Sequence, residues 1–147
     1  MKAVSALEDV RVPTRYKLSA MWVSVMFCYI YADYFELYLP GKLQGMLAGR
    51  MDPLGPVTQG VLVGTAVMLA LPSLMILLSV ALPPRVCRWL NIVVAIVYTV
   101  IQLLVVSGSS WVFYVGFGIV ETVLTALVIW TAWTWPRVAS HESKVMQ

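Results

Sequence analysis

Long apolar stretches separated by short polar segments dominate the pattern of hydrophobic and polar positions along the chain. The stretches are Leu18–Leu39, Val57–Leu82, Val86–Val106 and Trp111–Trp135. A membrane-spanning helix needs about 20 mostly apolar residues, and each stretch is long enough to supply one. The pattern therefore predicts an all-α membrane protein, a four-transmembrane-helix antiparallel bundle that forms one membrane domain over residues 1–147. The first stretch is too long and too acidic for the core of a signal peptide, and we interpret it as a retained helix.

The segment between the first two stretches carries a weaker helical pattern. Four apolar residues recur there at helical spacing among polar neighbours: Leu43, Met46, Leu47 and Met51. This pattern predicts a short interfacial helix in the first outer loop, over the outer mouth of the bundle. A flexible glycine-rich loop is the alternative, because glycine recurs at every fourth position from Gly41 to Gly49.

Composition supports a membrane location, and the placement of charge predicts an orientation. Of the 147 residues, 61% are hydrophobic and 12% are charged, a balance that soluble domains rarely show. Eight of the ten basic residues lie before the first stretch, at the second loop or after the fourth stretch: Lys2, Arg11, Arg15, Lys17, Arg85, Arg88, Arg137 and Lys144. The positive-inside rule then predicts a multi-pass protein of the inner (plasma) membrane with both termini in the cytoplasm. The net charge of +3 could suggest a nucleic-acid partner, but the basic residues are placed as in a protein oriented in the lipid bilayer, and we predict no nucleic-acid partner.

Three acidic residues interrupt the apolar stretches. Asp33 and Glu36 share a face of the first helix, because residues three apart do so. At a rise of about 1.5 Å per residue, Asp33 should lie about 9 Å and Glu121 about 15 Å below the outer ends of their helices. A charged aspartate at the bilayer centre costs about 2.5–3.5 kcal/mol. Since no basic residue lies beside these acids within the stretches, we expect them to share protons, hydrogen-bond to neighbours, face water or hold a cation.

Further polar residues predict a pocket in the outer half of the bundle. A small or polar stripe on the third helix must face protein, because a lipid-facing glutamine would leave its amide unsatisfied; it consists of Asn91, Ala95, Tyr98 and Gln102. The candidate ligand- or ion-binding residues are Tyr29, Asp33, Glu36, Tyr98, Gln102 and Glu121. Gln59 and Thr65 should line the entrance. For Glu36 the solvated outer interface is an equal alternative, where Tyr34 and Tyr38 are predicted as anchors.

Other residues bear on helix packing. Pro72 has no N–H and therefore frees the backbone carbonyl of Met68 in the second helix. Gly60 and Gly64 have the small-xxx-small spacing that lets a neighbouring helix approach closely. Trp22 is predicted near the inner interface of the membrane, where amphipathic rings are favoured.

The chain lacks the residues that several kinds of site require. Its one histidine, His141, lies in the C-terminal tail, so histidine-ligated haem, histidine-supported zinc and serine–histidine catalysis each lack a group. Cys28 and Cys87 fall on different helices, form no C-x-x-C motif, and are interpreted as small buried apolar residues. We predict no catalytic residue and no cofactor, and we do not expect an enzyme. A metal ligand and a carboxylate-only reaction on a water-borne or lipid substrate stay open.

Five short segments follow one another from the first helix to the fourth: Tyr29–Asp33, Leu71–Met75, Arg88–Ile92, Tyr114–Glu121 and Trp130–Trp135. Together they resemble the successive motifs of an uncharacterised prokaryotic family of four-span membrane proteins, a domain of unknown function. The resemblance implies the four-helix membrane fold and no activity. It draws attention to Tyr29, Asp33, Arg88, Asn91 and Glu121. Glu36 is not part of the family pattern.

The acidic cluster favours a small carrier or solute-binding membrane protein, linked to protons or cations, with an outward-biased carboxylate pocket. One alternative is a non-transporting interaction or scaffold subunit that binds a partner membrane helix through the glycines of the second helix or the first loop. Another is a pocket for a lipid- or quinone-like ligand. Because four short spans leave little room for a transport pathway within one chain, a homodimer is also considered.

Overall fold

The computed structural model describes residues 10–108 and 111–136, which form five helices. They are α1 (Thr14–Glu36), α2 (Lys42–Leu47), α3 (Gln59–Ala81), α4 (Pro84–Ser107) and α5 (Val112–Trp133). The described ranges contain no strand, only an isolated bridge between Arg50 and Pro56. Helices α1, α3, α4 and α5 are each long and apolar enough to cross a membrane. The predicted all-α fold with four membrane helices in an antiparallel bundle is confirmed.

Local sequence explains where the long helices begin. Pro13 directly precedes α1, and Pro84 is the first residue of α4. Proline is well suited to these places, because the first N–H groups of a helix have no partner within it. Thr58 caps α3, since its hydroxyl oxygen accepts a hydrogen bond from the Val61 N–H at 3.2 Å.

The connection after α1 is more structured than a polar turn. Helix α1 ends at Glu36, earlier than the predicted Leu39. From Leu37 to Leu39 each N–H bonds to the carbonyl three residues before it, so the chain continues in tighter turns up to Pro40. Gly41 then adopts a φ of 84°, a left-handed conformation that glycine tolerates. The predicted short helix follows directly as Lys42–Leu47, so these residues do not form the flexible loop of the alternative interpretation.

The bundle has two different ends. The α2 end holds α2, the end of α4 and the start of α5, whereas the hairpin end holds the start of α1 and the turn between α3 and α4. Helix α1 packs against α3 and α5, and α4 packs extensively on α5 but less on α3. The buried apolar core occupies the hairpin half and consists of Leu18, Trp22, Val25, Met75, Cys87, Ile92, Ala95, Val128 and Ala132.

A hydrogen-bonded group at the hairpin end, which we name the Asn91 cluster, joins Trp22, Ser79, Cys87 and Asn91. The Asn91 side-chain carbonyl accepts from Trp22 Nε1 at 2.7 Å and from Ser79 Oγ at 3.1 Å. Its amide donates to the Cys87 carbonyl at 2.8 Å, and Cys87 Sγ donates to the Ser79 carbonyl at 3.2 Å. Trp22 is fully buried. It therefore packs in the core and not at the surface, where an interfacial anchor would lie.

A single hydrogen bond links α3 and α4 in the middle of the bundle. The Met68 carbonyl, freed by Pro72 as predicted, accepts a hydrogen bond from the Tyr98 hydroxyl. Tyr98 belongs to the polar stripe of α4. The predicted burial of that stripe is confirmed, because all four members are buried: Asn91, Ala95, Tyr98 and Gln102.

Glycines on α3 and α5 have opposite surroundings. A Cβ atom on Gly118 of α5 would overlap Val106 Cγ2 and lie 3.0 Å from Gln102 Nε2. Gly60 and Gly64 of α3 are instead exposed, and a Cβ on Gly64 would meet no atom within 4 Å. The close approach expected at Gly60 and Gly64 is therefore not made by another described helix of this chain, and the tight contact lies between α4 and α5.

Candidate functional site

A cavity of about 380 Å³ occupies the α2 half of the bundle. All four long helices line it, together with α2 and the loop that follows. Its polar lining consists of Tyr29, Asp33, Glu36, Lys42, Asp52, Thr65, Tyr98, Gln102, Tyr114 and Glu121. The six candidate residues from the sequence thus converge on one cavity, and their role in binding stays a prediction. Thr65 lines the cavity as expected, whereas Gln59 does not.

Glu121 is the most deeply buried acid of this cavity. Its side chain is 1% exposed, and neither carboxylate oxygen has a hydrogen-bond partner among the described residues. Helix α5 turns it inward because Gly118 and Thr125, one turn away on either side, share its buried face. The Thr125 hydroxyl donates to the backbone carbonyl of Glu121 at 3.0 Å, so it leaves the carboxylate free. A charged carboxylate in such a place is unstable without a counter-charge.

Asp33 lines the same cavity from α1, and its side chain is exposed. It lies about 4.5 Å along the axis from the end of α1, nearer than expected, because the helix ends at Glu36. Within the described ranges no basic side chain forms an ion pair with Asp33.

Glu36 differs from the other two acids because it has a basic partner. Lys42 Nζ lies 2.8 Å from Glu36 Oε1, and the two side chains are 21% and 29% exposed, respectively. Lys42 also donates to the Asp52 carbonyl at 3.3 Å, and Asp52 pairs with Arg50 at 3.0 Å. Lys42 was not predicted as a partner, because it lies outside the apolar stretches and reaches Glu36 across the turn at Gly41.

The neutral residues predicted as partners of the acids do not satisfy Glu121. Tyr98 gives its hydroxyl hydrogen to the Met68 carbonyl. Gln102 is 9% exposed and packs beside Gly118, and its amide does not bond to Glu121. Tyr29 is half-buried in the wall of the cavity. The site therefore differs from a helix-to-helix hydrogen-bond lock.

Two aromatic residues of the lining were not predicted as candidate binding residues. Tyr114 and Phe117 precede Glu121 on α5 by seven and four residues. Residues four and seven apart share a helix face, so the spacing was a usable signal. Phe117 also stacks against Phe35 of α1, with ring centres 6.4 Å apart.

Two residues that the family resemblance singled out, Arg88 and Asn91, lie away from the cavity at the hairpin end. The Arg88 guanidinium donates to the Trp133 carbonyl at 3.1 Å. Its central carbon lies 5.8 Å from the ring centre of Trp89 and 5.6 Å from that of Trp133. Their contacts hold α3, α4 and α5 together, which is a structural role.

The described residues contain no group of three or more histidine, cysteine, aspartate or glutamate side chains that could hold a metal ion. Asp33 and Glu121 are therefore two acids without further protein ligands of those types. A pair of carboxylates can hold a proton, or can balance the charge of a cation whose other contacts are not carboxylates.

Fold and cavity together define a multi-pass helical membrane protein with a carboxylate-lined cavity among its spans. The chain belongs to the Family of unknown function (DUF6326), whose profile matches residues 9–141. The match extends over all five helices and confirms the resemblance drawn from the five short segments. Neither a curated protein nor a solved structure matches the chain significantly.

Proposed function

We propose that the protein is a small carrier or solute-binding membrane protein, linked to protons or cations, and that its cavity is the binding site. The observation that carries the proposal is the Glu121 carboxylate, which is 1% exposed and has no hydrogen-bond partner within the described ranges. Burying an ionised carboxylate without a partner costs several kcal/mol, on the order of the penalties known for buried ions. Glu121 is therefore stable either with a proton or with a cation beside it.

Competition between a proton and a cation for one carboxylate links the binding of the two. When the cation arrives, the proton leaves Glu121 for water, and when the cation leaves, a proton returns. Asp33 strengthens this site, because a second acid in the same cavity adds to the attraction for a cation. Intramembrane acids of this kind commonly mark ion and proton pathways.

Several titratable groups line the cavity together with Glu121. They are the carboxylates of Asp33, Glu36 and Asp52, the Lys42 ammonium, and the phenols of Tyr29, Tyr98 and Tyr114. Glu36 and Asp52 have the basic partners Lys42 and Arg50. Asp33 and Glu121 are left as the two acids whose charge a ligand would balance.

The proposal is tested by flux measurements in liposomes that contain the purified protein and a pH- or cation-sensitive dye. We expect the wild type to dissipate an imposed proton or cation gradient faster than protein-free liposomes. The double variant Asp33→Asn/Glu121→Gln should lose this flux. Thr122→Val is the matched control, because Thr122 is adjacent to Glu121 on α5 but its hydroxyl donates to the Gly118 carbonyl, at 2.8 Å.

Equal fluxes in the wild type and the double variant would contradict the proposal of a carrier. Binding without transport is examined by following the carboxyl infrared band of Glu121 as cations are added. A band that no cation and no change of pH affects would contradict the solute-binding form as well.

A second candidate function is an interaction subunit. The observation that favours it is Gly64, which is exposed on α3 and where an added Cβ would meet no atom within 4 Å. Such a surface lets a helix of another chain approach closely. A stoichiometric partner that is retained in mild detergent and lost on Gly64→Leu, while Glu121→Gln keeps it, would favour this function over the first.

A further inference from the structure

We infer that the ligand of the cavity is a monovalent organic cation, an ammonium or other onium group carried on an apolar body. This inference rests on the proposed function, because it names the class of cation that Glu121 would take. Three properties of the cavity support it: its volume, its charge after internal pairing, and its aromatic lining.

The volume suits an organic molecule better than a bare ion. Pockets for small molecules measure about 300–1,000 Å³, and this cavity measures about 380 Å³. A water molecule takes up about 30 Å³ in the liquid, so a bare ion would leave most of the space to water. The described residues also lack a cluster of three or more acidic, histidine or cysteine ligands around which such an ion could be held.

The charge of the lining selects a single positive charge. Glu36 is paired with Lys42 at 2.8 Å, and Asp52 with Arg50 at 3.0 Å. Asp33 and Glu121 form no ion pair with a basic side chain among the described residues. When one of these two acids holds a proton, the other requires one positive charge, which a monovalent cation supplies.

Aromatic side chains line the same cavity as the unpartnered Glu121 carboxylate. Because the Tyr98 hydroxyl is bonded to the Met68 carbonyl, the part of Tyr98 that remains for a ligand is its ring. Tyr114 and Phe117 line the cavity from the same helix as Glu121. Aromatic faces attract onium groups that have lost their water, and the methionine and leucine side chains of the lining suit an apolar body. The cavity thus combines an aromatic and apolar lining with one carboxylate, that of Glu121, as the counter-charge.

Binding is an exchange that conserves charge. The O–H bond of the protonated Glu121 carboxyl group breaks, the proton passes to water, and the onium group takes its place beside the carboxylate. Asp33 keeps its proton throughout, and no other bond changes. The net charge of the cavity with its ligand is the same before and after binding.

The test uses the full chain in nanodiscs of phosphatidylcholine, in weakly buffered solution. Benzyltrimethylammonium is the probe, and neopentylbenzene, which has the same shape without the charge, is the control ligand. We expect calorimetry to show saturable one-to-one binding of the cation, with release of a proton, and no saturable binding of the neutral compound.

Two variants locate the binding site. Glu121→Gln should weaken binding of benzyltrimethylammonium by about thirtyfold or more, because it removes one partner of a buried charge pair. Phe117→Leu should weaken it by about threefold, through the loss of one aromatic face. Phe113→Leu is the matched control, because Phe113 also packs on Phe35, with ring centres 6.5 Å apart, but does not line the cavity.

The outcomes separate this inference from the proposed function. Saturable binding of neopentylbenzene equal to that of the cation would overturn the inference in favour of an apolar, lipid-like ligand. Proton release by Na⁺ or K⁺ from the wild type, but not from Glu121→Gln, with none by benzyltrimethylammonium, would overturn the inference and leave the proposed function standing. Proton release by no cation, with unchanged flux in Glu121→Gln, would overturn both. Should Glu121→Gln fail to fold, the comparison of the two probes on the wild type decides.

Discussion

The two halves of the bundle treat buried polar side chains in opposite ways. At the hairpin end, Asn91 is fully buried and its amide makes three short hydrogen bonds, at 2.7, 3.1 and 2.8 Å. In the α2 half, Glu121 is 1% exposed and its carboxylate makes none with the described residues. Buried polar groups in native proteins are usually paired, so the exception needs an explanation.

The unpaired carboxylate of Glu121 is therefore a property of the cavity and not of the chain as a whole. The sequence provides Trp22 and Ser79 for Asn91, from two other helices. It provides Tyr98 in the α2 half as well, but that hydroxyl is bonded to the Met68 carbonyl and so does not reach Glu121. In the hairpin half the buried polar side chains join helices to one another, whereas in the α2 half the Glu121 carboxylate has no partner among the described residues.

The largest expected effect is at the hairpin end. Asn91→Ala leaves the Trp22 N–H and the Ser79 hydroxyl without their acceptor, and we expect it to lower the free energy of unfolding by about 3 kcal/mol. The measurement is unfolding in mixed detergent micelles, followed by tryptophan fluorescence. Ser24→Ala is the control, since that exposed hydroxyl donates to the Ala20 carbonyl of its own helix at 3.1 Å. A loss equal to that of Ser24→Ala would remove the contrast between the two halves.

The opposite sign is expected in the α2 half. Glu121→Met replaces an unpartnered acid by an apolar side chain of similar length, and we expect it to raise the free energy of unfolding by about 2 kcal/mol. The same micelle assay measures it beside Asn91→Ala. Destabilisation by Glu121→Met would mean that the carboxylate has a structural partner, and the two halves would then be alike.

A smaller effect on stability is expected in the cavity wall, where it measures how tightly α4 and α5 are packed. Gly118→Ala should lower the free energy of unfolding by about 1–2 kcal/mol, because the new methyl overlaps Val106. Gly116→Ala is the matched control on the same helix, where a Cβ would meet no atom within 4 Å; there we expect a gain of about 0.5–1 kcal/mol from helix propensity. If Gly118→Ala behaved like Gly116→Ala, α4 and α5 would be able to separate beside the cavity.

The smallest effect concerns the ion pair at the mouth of the cavity. A double-mutant cycle of Lys42→Gln and Glu36→Gln should give a coupling free energy below about 1 kcal/mol, because both side chains are partly exposed. The coupling should shrink further as salt is added. A coupling that is larger and independent of salt would show that this pair is as well shielded as the Asn91 cluster.

Most of the fold was predictable, because hydropathy shows how long each apolar helix is and the helical period shows which residues share its buried face. The four spans follow from apolar stretches of sufficient length, and the polar stripe of α4 follows from spacing alone. The end of α1 was less predictable, because Leu37–Leu39 are as apolar as the helix, and hydropathy does not show that their N–H groups bond three residues back instead of four. The glycine contact was placed on α3, since spacing reveals which glycines share a face but not whether a neighbour lies opposite.

The acids of the candidate site were predictable from the sequence, but their ion pairs and hydrogen bonds were not. The acids Asp33, Glu36 and Glu121 stand out against apolar surroundings, and all line the cavity. The pairing of Lys42 with Glu36 depends on the path of the chain through Gly41, which composition does not record. Trp22 was interpreted as an interfacial ring because its acceptor, Asn91, lies 69 positions away in the sequence.

The hydrogen bond from Tyr98 to the Met68 carbonyl lies at the boundary between the two halves. Helices α3 and α4 are joined at the hairpin end through the Asn91 cluster, and toward the α2 end their side chains line the cavity instead. Pro72 makes the bond available, because it lacks the N–H that Met68 would otherwise use. The carbonyl that Pro72 leaves free thus forms a contact between α3 and α4. A motion that widened the cavity by separating these two helices would pivot about this hydrogen bond.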